Sequence, residues 1–182
     1  PVWRCAGCGS LHSGQALDDA TLACYYAAYP YHRQRYDLMA LLLYDVYERR
    51  LRRAGVRPEH AILDYGCGSG HLLRFLRWKK FQDLAGYDAH SRDYADTGPL
   101  ARRYGCVIAQ DVVEHVEDPR TLLQTLVGLL EPGRRLIIRT PNAEGLDLRR
   151  PVHAVVFFHA ATVCAAEFTW AGDFDRRVEL AA

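Results

Sequence analysis

Charge of one sign is not in surplus in this chain: Lys and Arg number 23 against 22 Asp and Glu. That balance supplies no global field to draw the protein toward nucleic acid or an anionic membrane. Long apolar runs are missing as well, and nothing approaches the roughly 20 residues needed to span a bilayer. We read no secretory signal, no lipidation motif and no internal repeat in the sequence. The six cysteines do not form a small-protein disulfide framework, and Cys67 sits inside a glycine loop, so a reducing, cytoplasmic setting is expected. The numbering opens at Pro1 rather than Met, as it would inside a longer natural protein. What remains is ordinary for a globular protein: 182 residues, 49% hydrophobic and 25% charged, enough for one α/β domain with a single core.

The richest stretch is Ile62-Leu-Asp-Tyr-Gly-Cys-Gly-Ser-Gly70, a short apolar strand followed by glycine at every second position. Asp88 follows Gly68 by twenty residues, the spacing at which a second acid holds a ribose. Around it, helical periodicity predicts a helix over 34–54, with Leu38, Leu41, Leu42 and Val46 early and Arg49 and Arg50 late; Gly55 stops it. A strand at 61–65, a helix over about 70–79 and a strand at 84–88 come next. Cys106 to Gln110 reads as a buried strand. Asp118-Pro119 opens a helix, as an acid to cap the free N–H groups followed by proline in the first turn. Its buried face is Leu122, Leu123, Leu126, Leu129 and Leu130; Glu131-Pro132-Gly133 ends it, and Leu136 to Arg139 forms another strand. Strands alternating with helices at this spacing predict an α/β, doubly wound, mostly parallel Rossmann-like sheet. Beyond Pro151 the pattern weakens, and 153–166 is apolar without a clear period.

The N-terminal 1–32 is expected to be a separate Cys- and Tyr-rich segment, leaving 33–182 as the main domain. Cys5-Ala-Gly-Cys8-Gly9 is a knuckle that points two thiolates at one Zn2+, half of a zinc ribbon. The other reading is two reduced surface cysteines. The tyrosines at 25–36 either line a substrate pocket or pack an N-terminal helix, the latter being the commoner use of such residues.

The glycine loop admits a dinucleotide or S-adenosylmethionine. A dinucleotide fingerprint needs its third glycine three positions after the second, where this chain has His71. Asp64 lies directly beneath the loop. Its carboxylate would repel a pyrophosphate and attract the ammonium of a methionine moiety. Glycines 66 and 68 let the backbone approach the cofactor, and Asp88 would accept from both ribose hydroxyls.

Three further motifs follow in order: Gln110-Asp-Val-Val-Glu-His-Val-Glu-Asp-Pro119, Leu129-Leu-Glu-Pro-Gly133 and Ile138-Arg-Thr-Pro-Asn142. With the glycine loop they resemble class I S-adenosylmethionine-dependent methyltransferases over about residues 5–142. The likeness is to the branch of ubiquinone-biosynthesis O-methyltransferases and cysteine-knuckle small-molecule enzymes, some of which carry a Tyr-Tyr-x-x-Tyr stretch like Tyr25, Tyr26 and Tyr29. The resemblance implies that Asp64, Gly66, Cys67, Gly68 and Gly70 hold the methionine end and Asp88 the ribose. Gln110 and Asp111 would form the far wall near the methyl group. It also implies a small-molecule acceptor, methylated at oxygen or carbon. The chain departs from the pattern in places: Gly105 stands where an acid is common, and Arg134 where a second glycine is. Only fifteen residues separate Asp88 from Tyr104, too few for a helix plus the usual third strand, and the tail lacks the expected run of strands, so a truncated sheet is expected. Asp93 and Asp96 are the nearest substitutes for an adenine-binding acid.

His115 is the best candidate general base, since imidazole titrates near neutrality. Alternatively Asp111, Glu114 and His115, at i, i+3 and i+4, share one face of a helical turn and bind Mg2+. The resemblance to methyltransferases with Glu-x-x-Glu-His and a downstream histidine implies that His153 or His159 completes the set, with Asp111 in place of the first Glu. A third reading has Glu114 and His115 only shaping the loop after the strand. The competing functions are a non-catalytic cofactor- or partner-binding module of the same fold, an NAD-dependent oxidoreductase and an RNA 2′-O-methyltransferase. Balanced charge weighs against the last.

Overall fold

The computed structural model describes residues 36–140 continuously, with the short stretches 2–4, 11–13 and 168–170 and the single positions 6, 20, 21, 24 and 26. At its centre is a five-stranded sheet built from β3 (Ile62–Tyr65), β4 (Leu84–Tyr87), β5 (Tyr104–Gln110), β6 (Leu130–Arg139) and β7 (Phe168–Trp170). The spatial order is β4-β3-β5-β6-β7, with β7 antiparallel and every other pairing parallel. Register puts Asp64 of β3 between Gly86 of β4 and Ile108 of β5. A separate hairpin pairs β1 (Val2–Arg4) with β2 (Leu11–Ser13).

Alternation along the strands sends side chains to two faces, and each face carries its own core. Ile62, Cys106 and Ile108 meet α1 (Leu38–Arg53) and α2 (His71–Trp78) through Tyr47, Leu51, Leu72, Phe75 and Leu76. Leu63, Val107, Ala109 and Leu136 meet α3 (Pro119–Gly128) through Leu122 and Leu126. The doubly wound expectation is therefore met. Asp64 shares the face of Ile62, two residues earlier, so it is buried beneath α1 and α2.

The helix termini follow from local chemistry. Asp118 caps α3, accepting from the backbone N–H groups of Arg120 and Thr121 at 3.0 and 3.2 Å and from the Thr121 hydroxyl at 2.6 Å. Asp37 caps α1 through the Ala40 N–H at 2.9 Å.

Several expectations need correcting. The buried face of α1 is Tyr47, Glu48 and Leu51, with Leu41 and Tyr44 packed beside them. Leu38, Leu42 and Val46 are exposed, together with Met39 and Leu43. Apolar residues occur on both sides of this helix, and the aromatic side is the one that reaches the sheet. β5 begins two residues earlier than predicted, because Tyr104 already pairs with Leu130 of β6; it is fully buried, and its hydroxyl donates to the Pro99 carbonyl at 2.7 Å. Glu131-Pro132-Gly133 lies inside β6: the ladder runs from Tyr104–Leu130 to Cys106–Arg135, so the Pro-Gly turn bulges out between them. β7 was not anticipated.

The short stretch after β4 behaves as its length requires. Residues 89–103 form turns and one 3-10 segment, Gly98–Ala101, with neither α-helix nor strand. Among the described residues β4 is therefore the last strand on its side. Where a following helix would cover it, Tyr94 lies instead: a Cβ at Gly86 would meet Leu73, Tyr94 and Cys67 at 2.6, 2.8 and 2.9 Å.

Candidate active site

The site forms where β3, β4 and β5 end. Gly66, Gly68 and Gly70 all have positive φ, at +78°, +55° and +71°. The alternate glycines thus fold the loop into successive left-handed turns that other residues resist. The loop is anchored from β4, since the Tyr87 carbonyl accepts from the N–H groups of Gly66 (2.6 Å) and Cys67 (3.2 Å). Two neighbours exploit the missing side chains. A Cβ at Gly66 would lie 2.3 Å from Val112 Cγ2, and one at Gly70 would lie 2.2 Å from the Tyr94 hydroxyl. Val112 comes from the turn after β5 and Tyr94 from the turn after β4, so all three loops interlock.

Asp88 ties the first two together. Its Oδ2 accepts from the Gly68 N–H at 2.8 Å and its Oδ1 from the His90 N–H at 2.9 Å, and the residue is buried. A carboxylate has about four lone-pair sites, so each oxygen keeps one for a further donor. Asp64, 3% exposed, lies below the glycine loop. Burial, and then the negative charge of Asp88, push its carboxyl up to about 7. A cation entering beside it would restore the ionised form. Cys67 is half-buried, and burial raises its thiol well above the usual range, so it stays protonated near neutral pH.

Beyond β5, Gln110 is half-buried and its side-chain amide lies 3.4 Å from Asp111 Oδ2. Asp111 is exposed with φ +55°, and its N–H donates to the Arg139 carbonyl at 2.8 Å. Val113–His115 then forms a single 3-10 turn. The shared helical face expected of Asp111, Glu114 and His115 does not exist. Asp111 stands outside the turn in a left-handed conformation, while Glu114 is 3% exposed and accepts from the Thr140 hydroxyl at 3.1 Å. Burial raises Glu114 to about 7. Among the described residues no group of three or more His, Cys, Asp or Glu could hold a metal ion, so the Mg2+ reading is set aside. His153 and His159 lie outside the described residues, as do Cys5 and Cys8, and the Zn2+ expectation has no structural support. His115 is half-buried, and its backbone N–H donates to the Val112 carbonyl at 2.9 Å.

Sequence spacing missed Val112, Tyr94 and Thr140, because each reaches the site from a different loop. It also missed two aromatic contacts: Tyr26 stacked on His90, and Tyr36 edge-on to His71 at 5.5 Å with the Arg74 guanidinium 5.3 Å above its ring. Tyr25 and Tyr29 lie outside the described residues.

A parallel sheet joined by one antiparallel strand, an alternating-glycine loop and an acid just past the next strand are features of the class I methyltransferase fold. The chain belongs to the methyltransferase-domain family, whose model matches residues 31–175. It is 29% identical over 116 residues to the ubiquinone biosynthesis O-methyltransferase of Bradyrhizobium diazoefficiens, covering 53% of this chain and 46% of that protein. The chain thus spans about half the length of this curated relative. Two solved structures share the fold, both of magnesium protoporphyrin IX methyltransferase from Synechocystis. The one with bound S-adenosylhomocysteine has a TM-score of 0.52 at 19% identity, covering 70% of this chain and 74% of that one. The one with bound S-adenosylmethionine has a TM-score of 0.51 at 22% identity, covering 69% and 77%. The family match sets aside the NAD-dependent oxidoreductase reading.

Proposed function

We propose that this protein is an S-adenosylmethionine-dependent methyltransferase acting on a small molecule at oxygen or carbon. The observation that carries the proposal is Asp88, held by N–H groups of two different loops with an acceptor site left on each oxygen. Such a carboxylate suits the paired hydroxyls of a ribose. Asp64, buried and close to neutrality in its titration, suits the ammonium of the amino acid end. Gly66, Cys67, Gly68 and Gly70 provide the backbone floor between them, and Gln110 and Asp111 the wall opposite. The residues present therefore fit the group.

When bound, the sulfonium supplies an activated methyl that needs only an aligned, desolvated nucleophile. The chain's part is to bind, orient and exclude water. We assign His115 as the base that takes a proton from a hydroxyl or enol acceptor, supported by its half-buried place on the turn after Val112. Glu114 instead holds that turn to the end of β6 through Thr140. The acceptor wall and the division between 1–32 and 33–182 belong to the same proposal.

Calorimetry with S-adenosylhomocysteine tests the cofactor assignment, and transfer of a labelled methyl group tests the activity. Saturable one-to-one binding is expected. Binding of NAD in its place would overturn the proposal.

A further inference from the structure

We infer that Tyr26 is a positioning residue for the adenosine end of the cofactor, acting through His90. This rests on the cofactor reading above and extends the site to a residue far upstream of the glycine loop. The rings of Tyr26 and His90 stack face to face, with centroids 3.8 Å apart and planes within 5°. His90 is otherwise an exposed residue on a short turn, yet its backbone N–H is one of the two that hold Asp88. The turn closes tightly on itself. Asp88 N–H donates to the Tyr94 carbonyl at 2.9 Å, Ser91 N–H to the Asp88 carbonyl at 3.1 Å, and Tyr94 N–H to the Ser91 carbonyl at 3.3 Å.

Residues 89–103 contain no α-helix to brace this turn from behind. Tyr94 braces its far end against Gly70 and Gly86, and Tyr26 braces its near end at His90. A stacked pair of this kind contributes more than its buried area alone, and here its effect falls on the N–H that orients a ribose-binding carboxylate. Tyr36 makes a second upstream contact, with His71 at the first turn of α2. Tyrosines upstream of or at the start of α1 therefore touch both loops of the site, and Tyr26, although within 1–32, works as part of the 33–182 domain.

The test measures dissociation constants for S-adenosylhomocysteine and for 5′-methylthioadenosine, which lacks the amino acid end. The proteins compared are wild type, Tyr26→Ala, Tyr26→Phe, His90→Ala and the Tyr26→Ala/His90→Ala pair. Both single alanine variants should weaken both ligands by the same factor, about three- to tenfold. Tyr26→Phe should stay within about twofold, because the ring is kept, and the double variant should be no weaker than the worse single one. Unchanged affinity in Tyr26→Ala, or fully multiplicative losses in the pair, would overturn the inference while leaving the cofactor site standing. Failure of the wild type to bind either ligand would instead overturn the cofactor reading beneath it. Should Tyr26→Ala not fold, His90→Ala on the exposed turn carries the same comparison.

Discussion

Asp64 and Asp88 are both acids, both buried and both beside the glycine loop, yet they carry different loads. Asp88 holds two backbone N–H groups, and replacing it with alanine leaves those donors without their acceptor. We expect Asp88→Ala to weaken S-adenosylhomocysteine binding by about 1.5–3 kcal/mol, the scale of hydrogen bonds to a charged group, measurable by calorimetry. Asp64 is pushed up to about 7 by burial and then by Asp88. Below that pH the group is protonated and must lose its proton to pair with an ammonium. Affinity should therefore rise as pH increases toward 7 and level off above it, with proton release seen as a buffer-dependent binding enthalpy. Asp64→Asn should flatten that profile; a pH-independent affinity in the parent protein would remove the ammonium from this position. These two acids were legible in the sequence because a strand, alternating glycines and a fixed spacing constrain them. Val112, Tyr94 and Tyr26 were not, since nothing in their local sequence says which distant glycine or ring they will meet.

Elements show the same division. β3, β4, α2 and the Asp118 cap follow from patterns of a few residues, and their predicted bounds differ from the observed ones by one or two positions. Helix α1 was predicted in place but turned the wrong way. Its apolar residues fall on two sides, so counting them could not choose; the sheet selects Tyr44, Tyr47 and Leu51. Leu51→Ala, at 1% exposure, should cost about 2–5 kcal/mol in denaturant unfolding. Leu42→Ser, on the exposed side, should stay within about 0.5 kcal/mol. Equal effects would show that both sides are packed. The glycine loop offers a steric counterpart. Gly66→Ala combines a left-handed φ with a collision against Val112, and should lower stability by about 2–4 kcal/mol. Adding Val112→Ala should recover part of that loss, the strain in φ remaining.

At the scale of the whole molecule, chain length was the best guide. Fifteen residues between Asp88 and Tyr104 forbade another helix and strand there, and among the described residues the sheet accordingly stops at β4. The bulge in β6 and the antiparallel β7 were illegible, because each depends on pairing with strands far away in sequence. Among the described residues no helix is long and apolar enough to cross a membrane. Among the described residues two buried acids have raised titration, Asp64 and Glu114, both near 7, and the expected pH response follows from them. An acid raised on folding stabilises fully below its unfolded value and loses that contribution as pH climbs through the folded one. The cofactor-free protein should thus melt at a lower temperature at pH 7.5 than at pH 5.5. His71, lowered by burial and by Arg74, opposes this weakly because it is largely solvated. Bound cofactor should narrow the difference by pairing Asp64.

Calorimetric titration of S-adenosylhomocysteine into the wild-type protein and into Asp88→Ala bears most directly on the central assignment. One-to-one binding that weakens at least tenfold in the variant is the expected result. No binding at millimolar ligand, or the same affinity in both proteins, would contradict it.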